Sequence, residues 1–298
     1  MKGLSKEDRI KTVFGGGGHV VILGAGASIA STLRNMEKNK KRLPSMENFI
    51  EVVGLQDIVD TIPDKLKAEN FEILYSNLHD NNPESDEIKE IESRVREYFR
   101  DMELPDEPTI YDHLVLSLRP RDLIATFNWD PFLYQVFVRN SDFTKDLPLM
   151  SFLHGCVSIG YSVEDKRCGP AGMYMRRDGG YFEPTKLLYP VRKKNYNDDE
   201  FISMEWERLK YWLKEDSTKL VTVFGYGAPD TDVEAVTLLD EAYGGKDARN
   251  MEQFEIIDVQ DETTAVKRWD KFIHSHHYDY ATNYFDCKYQ LKTVPYFS

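Results

Sequence analysis

Val20 to Leu23 are four apolar residues in a row, and they run directly into Gly24-Ala25-Gly26-Ala27-Ser28. An unbroken apolar run closed by glycines is the pattern of a strand buried on both faces of a parallel sheet. Gly24 and Gly26 allow a tight turn, and Ser28 is suited to open the following helix. Similar runs follow at long intervals at 123–127, 149–153 and 220–224, with a weaker one at 254–257. Between them helical spacing recurs. Ile88, Ile91, Val95 and Phe99 share one face, with Ser85 as cap; Ile202, Trp206, Leu209 and Leu213 mark a second helix. Val233, Val236 and Leu239 mark a third, stopped by Gly244-Gly245. Strands alternating with helices predict an α/β fold on a Rossmann-like parallel sheet. Residues 31–120 hold helical segments and no convincing strand, so a helical insertion or subdomain is expected over the strand ends. Residues 1–18, ending in the glycines 15–18, read as an N-terminal extension, and 19–298 as a single domain.

Composition narrows the function classes. The chain has 298 residues, of which 41% are hydrophobic, enough for a sizeable core. No run approaches the ~18 apolar residues of a membrane helix, and the amino terminus has no signal-like stretch, so a cytoplasmic protein is expected. Three cysteines, Cys156, Cys168 and Cys287, do not make a disulfide framework. A net charge of −13 argues against direct binding to nucleic acid, which needs a basic face.

Each apolar run ends in a polar or glycine turn: Asn128-Trp129-Asp130, His154-Gly155, Gly225-Tyr226-Gly227 and Asp258. Ligands of open parallel sheets bind beyond the carboxyl ends of the strands, so these turns predict one shared site. A strand–Gly-Ala-Gly–helix unit can hold a pyrophosphate, because glycine lets the chain approach and free N–H groups at a helix start favour an anion. Ile29 stands where the dinucleotide fingerprint has its third glycine, and a purely structural turn is also consistent. Asn128 and Asp130 can present an amide and a carboxylate to one cavity, or merely stabilise a turn. His154 can act as a general base or be a satisfied core histidine. Lys38 to Arg42 read as a solvated basic face, and His274, His276 and His277 as a solvated loop; no metal site is expected. Met173 and Met175 fall in a glycine-containing loop with an apolar tip, and Cys156 reads as a packing residue.

The order of these turns resembles the SIR2 (sirtuin) superfamily over roughly residues 19–260. Gly24-Ala25-Gly26-Ala27-Ser28 is similar to its first phosphate-binding turn, Phe127-Asn128-Trp129-Asp130 to its Gln-Asn-Ile-Asp segment, and Leu153-His154-Gly155 to its catalytic histidine turn. The family's four-cysteine zinc ribbon has no counterpart here, so no zinc is expected, and Pro44 to Phe49 replaces its Pro-Asp-Phe-Arg loop without the arginine. The chain thereby resembles the SIR2-like effectors of bacterial antiviral defence, a likeness shared by Tyr111-Asp112-His113-Leu114, the segment 188–192 and the segment 225–230. The resemblance implies an NAD+ hydrolase with NAD as substrate and an antiphage role. It implies His154 as general base, Asn128 orienting the ribose hydroxyls and the attacking water, and Asp130 binding the nicotinamide amide. Gly24, Ala25, Gly26, Ser28, Thr126, Gly225, Tyr226 and Asp258 would bind the rest of the dinucleotide, Asp258 at the adenosine ribose, while Phe49 could cover the nicotinamide. It also implies a homo-oligomer and a separate partner, such as a HerA-type ATPase or a short Argonaute. An NAD or ADP-ribose sensor regulating a partner, and a lysine deacylase, are the alternative expectations.

Overall fold

The computed structural model describes residues 18–33, 36, 38–172, 179–191, 196, 198–214, 218–227, 233–244, 253–273 and 278–287. The residues 1–17 of the expected extension, Met173 and Met175, Arg192, the segment 228–230 and the three histidines at 274–277 lie outside them. The first buried run is β1 (Gly18–Leu23), so Gly18 belongs to a strand and not to a lead-in. Its chain enters α1 (Ala25–Ser31) after a single residue. Between β1 and the next strand lie α2 (Phe49–Val53), α3 (Gln56–Thr61), α4 (Phe71–Asn81), α5 (Asp86–Arg100) and α6 (Ile110–Ser117). No strand occurs among the described residues of 31–120, as the sequence predicts. Ser85 caps α5 by accepting from the Ile88 N–H at 3.3 Å. Then come β2 (Leu123–Thr126), α7 (Phe132–Ser141), β3 (Leu149–Phe152), β4 (Ile159–Ser162), β5 (Arg167–Pro170), β6 (Glu183–Pro184) and α8 (Glu200–Leu213). The chain continues through β7 (Thr218–Phe224), α9 (Val233–Tyr243), β8 (Gln253–Ile257), α10 (Glu262–Trp269) and β9 (Tyr278–Ala281).

Six strands form one sheet in the order β3-β2-β1-β7-β8-β9, all neighbours parallel. The order runs outward from β1 on one side and then restarts at β7 on the other, and the crevice beyond the carboxyl ends of these two paired strands is where such sheets bind ligands. Central strands are buried throughout, which is why they read as unbroken apolar runs. The exception is a polar row inside the sheet: His19 Nε2 lies 2.8 Å from Thr222 Oγ1, which donates to Glu255 Oε2 at 3.0 Å. Mutual hydrogen bonding is what lets these groups sit in the core.

Two features go beyond the expected five strands. Edge strand β9, Tyr-Asp-Tyr-Ala, alternates between half-buried and buried positions and so lacks an apolar run. The chain between β3 and α8 builds a separate antiparallel sheet, β5-β4-β6, from segments of two to four residues, with glycine in β4 and β5.

Candidate active site

Two clefts open at the carboxyl ends of the strands. The larger, about 1000 Å³, is lined by Gly24, Ala25 and Ser28 after β1, by Asn128 and Asp130 after β2, and by His154 after β3. Tyr226 after β7 closes the same cleft, and Phe49 and Phe99 of the helical segment wall it from above. The smaller, about 480 Å³, is lined by Gly26 and by Asp258 after β8. The clefts touch along Gly225 and Gly227, beyond the carboxyl ends of β1 and β7. Each volume lies in the range of small-molecule sites.

The glycine turns lock onto one another. Gly225 has φ +61°, and a Cβ there would lie 2.3 Å from the Ala27 nitrogen; a Cβ on Gly24 would lie 2.4 Å from the Gly225 oxygen. Packing of the two turns therefore demands glycine before any ligand is considered. The expected free N–H groups at the helix start are largely engaged: the Gly26 N–H donates to Gly225 O and the Ala27 N–H to Gly24 O, both at 3.0 Å. Ser28 is not the helix cap, since Gly24 holds that position. It sits one turn inside α1, buried, with its hydroxyl 2.7 Å from Tyr111 Oη.

Ser28 is the hub of a polar cluster under the larger cleft. Asn128 Nδ2 donates to Ser28 Oγ at 2.9 Å and to Gly24 O at 2.8 Å, which fixes the side chain of this cleft-lining residue. The nearby Ser28 hydroxyl also favours the charged form of the Asp130 carboxyl. Asp130 accepts from the Phe132 N–H at 3.1 Å, yet burial dominates and pushes its pKa up to about 6. Burial drives the Tyr111 hydroxyl far above its ordinary value, so it stays protonated and available as a donor. Tyr111 is held by the capping box of α6, in which the Thr109 N–H donates to Asp112 Oδ2 at 2.7 Å and Arg139 of α7 grips the same carboxylate.

His154 follows β3 at a turn where Gly155 has φ +78° and faces the Lys186 carbonyl too closely for any side chain. The Leu188 N–H donates to His154 O at 3.0 Å, and the imidazole Nε2 lies 3.1 Å from Tyr196 Oη. The ring of Phe127 meets His154 edge-on at 4.8 Å and stacks on Tyr226 at 4.1 Å, fastening three turns together. Helix α8 fixes the end of β3: Glu205 Oε2 accepts from the Phe152 N–H at 2.7 Å, and Trp206 Nε1 donates to Leu153 O at 3.2 Å.

Of the residues singled out from the sequence, Gly24, Ala25, Ser28, Asn128, Asp130, His154 and Tyr226 line the larger cleft, Gly26 and Asp258 the smaller, and Gly225 both. Thr126 lines neither; its hydroxyl accepts from the Asn128 N–H at 3.1 Å and shapes the turn. Asp258 accepts from the Gln260 N–H at 2.9 Å at the cleft wall. Cys156 is buried with its thiol pushed up to about 12 by burial, consistent with packing and not with nucleophilic use. Lys38 pairs with Asp106 and Lys41 with Asp101, and neither lines a cleft. Phe49 lines the larger cleft while stacked on Phe71 at 4.1 Å. Sequence reasoning gave no functional role to Tyr196, Glu205 or Arg268. Only Glu205 had a signal, a carboxylate on the buried face of an otherwise apolar helix stripe.

No family model and no curated protein matches the sequence. Solved structures do match. A mutant Sir2 homologue in complex with 2′-O-acetyl ADP-ribose aligns with a TM-score of 0.50 at 12% identity, over 97% of this chain and 95% of that one. The chain has a Sir2-type, Rossmann-like fold. A Sir2 homologue–NAD complex aligns at 0.49 and 12% identity over 98% of this chain and 94% of the other. A mutant Sir2 with a p53 peptide and NAD aligns at 0.44 and 11% identity over 99% and 100%. At such identities the likeness is one of architecture. Within the Sir2-type frame, both clefts lie at the strand ends and take residues from the turns after β1 and β7.

Proposed function

We propose that the chain hydrolyses the bond between nicotinamide and ribose in NAD, releasing nicotinamide and ADP-ribose. The observation that carries this reading is the convergence of Asn128, Asp130 and His154, from two adjacent strand ends, on a cleft that adjoins a second one. A dinucleotide has two halves to house, and the Sir2 homologue of similar fold holds an ADP-ribose derivative. Nicotinamide and its ribose take the larger cleft and adenosine the smaller, with Asp258 at the adenosine ribose.

The scissile bond leaves with its electron pair on the ring nitrogen, which turns the cationic pyridinium into neutral nicotinamide and leaves an oxocarbenium-like ribose. Asp130 accepts from the nicotinamide amide, and Asn128 Oδ1 accepts from a ribose hydroxyl or the incoming water. His154, oriented by the Tyr196 hydroxyl, takes the proton of that water as its oxygen bonds to C1′. Water and NAD+ then become nicotinamide, ADP-ribose and one proton. Apolar walls from Phe49 and Phe127 limit the water that reaches the site.

The reading extends to an antiphage effector that depletes NAD on activation. Such an activity needs a gate, placed in homo-oligomerisation and in a partner such as a HerA-type ATPase. Purified protein, alone and with co-purified partners, is incubated with NAD while nicotinamide and ADP-ribose are followed by chromatography. Release by the wild type, with a ~10²–10⁴-fold loss in His154→Ala at unchanged melting temperature, is the expected result. Full activity in His154→Ala would sink the assignment of the base. Wild-type binding without turnover, even with partners, would favour the sensor reading.

A further inference from the structure

Among the residues lining the two clefts, only Gly225, Gly227 and Arg268 line both. A ligand lying across both must carry its middle past these three, and Arg268 is the one that bears charge. Arg268 comes from α10, on the far side of the β7 turn. Its guanidinium lies directly over Gly227, where Nη1 would be 2.7 Å from a Cβ on that glycine. Lys267, its neighbour in α10, lines the larger cleft. Neither side chain has a hydrogen bond or ion pair among the described residues, although the chain carries 51 acidic against 38 basic residues. Four amides of the glycine turns are already committed. The N–H groups of Gly24, Gly26, Ala27 and Gly225 all donate to protein carbonyls, at 2.9–3.0 Å.

Resting on the dinucleotide reading above, we propose that Arg268, assisted by Lys267, recognises the diphosphate of the substrate. Anion binding in this chain is thereby carried by a side-chain fork from α10 and not by the amides of Gly24, Gly26, Ala27 and Gly225, which donate within the protein. A planar guanidinium matches two phosphate oxygens at once, and its charge offsets the repulsion a dianionic diphosphate meets at an acidic protein. Gly227 leaves the room in which the guanidinium rests, so the fork stands at the junction before ligand arrives.

The test uses the full chain as wild type, Arg268→Gln, Arg268→Lys and Lys267→Gln, with ADP-ribose as the probe in calorimetric titrations at low and high salt. Arg268→Gln is expected to weaken ADP-ribose binding ~10–100-fold, the range for losing a charge-assisted hydrogen bond, and to flatten its salt dependence. Arg268→Lys recovers part of the loss, and Lys267→Gln has a smaller effect of the same sign. In NAD cleavage the Arg268→Gln defect falls on KM, with kcat within a few-fold of wild type. Binding of ADP-ribose by Arg268→Gln as tightly as by wild type overturns the proposal and leaves the dinucleotide reading standing. So does weakened binding with an unchanged salt slope and no rescue by lysine, which marks a structural role. A wild type that binds neither ADP-ribose nor NAD overturns the dinucleotide reading, and this proposal with it.

Discussion

Asp130 shows how a single buried carboxyl can set both a function and a cost. Desolvation is the largest influence on it and outweighs the opposing influence of the Ser28 hydroxyl and the bond from the Phe132 N–H, so its pKa rises from 3.8 to about 6. Between those two values the folded chain holds a proton that the unfolded chain has released. Stability contributed by this group is therefore present at low pH and lost as pH rises through about 6. Asp130→Asn is expected to be more stable than wild type above that pH, by up to about 3 kcal/mol, with the gain shrinking toward pH 4. Urea unfolding across that range checks it, and parallel profiles for the two proteins would refute it. The same substitution is expected to cut NAD turnover, since the carboxylate is the acceptor assigned to the nicotinamide amide. Stability sacrificed at a working site is a common pattern.

At the level of elements, α8 acts as the clamp that aims the histidine turn. Glu205 and Trp206 bond to Phe152 and Leu153, the two residues immediately before His154. Trp206→Phe keeps the ring packing but leaves the Leu153 carbonyl without its donor, at a cost of about 1 kcal/mol. Steady-state kinetics should show a kcat lowered about tenfold with KM little changed, because a displaced base slows chemistry more than binding. Glu205→Ala is expected to cost more, about 2–4 kcal/mol, since it leaves the buried Phe152 N–H without its acceptor and removes the carboxylate paired with Arg208. The glycine turns form a second coupled element. Gly225→Ala forces a left-handed residue and a clash with the Ala27 backbone, and a drop of several degrees in melting temperature is expected.

For the molecule as a whole, the two clefts belong to one six-stranded sheet, so a ligand filling both should stabilise the entire fold. At a concentration one hundred times its Kd, ADP-ribose is expected to add about 2.7 kcal/mol, seen as a rise of several degrees in a thermal scan. Ligands confined to one cleft, adenosine or nicotinamide, should raise it less at equal concentration. Equal shifts for all three would argue that the clefts do not act as one site. Among the described residues no helix is long and apolar enough to cross a membrane, in keeping with the absence of long apolar runs in the sequence.

Much of this architecture was written locally in the chain. A strand buried on both faces is apolar at nearly every position, so Val20–Leu23, Leu123–Ala125 and Leu220–Phe224, with Thr222 its one polar member, betray themselves, and the polar residues just beyond their ends are drawn to the strand-end cavity. Asn128, Asp130 and His154 were legible for that reason. Edge strand β9 and the small antiparallel sheet were not, because half-buried strands mix polar with apolar residues and glycine-rich ones carry too little pattern. The reason for the glycines at 24 and 225 was also hidden: each is required by the other, across a distance of two hundred residues of chain. Tyr196 and Arg268 reach the site from segments remote in sequence, and nothing in their own surroundings marks where they end up; Glu205 showed only as a carboxylate in an apolar stripe, with no sign of the β3 end it bonds to. Residue pattern determined the strands and the groups at their tips, since burial acts on each segment by itself. Which distant side chains meet those tips was decided by the order of the strands and the packing of helices against them, which only the tertiary structure holds.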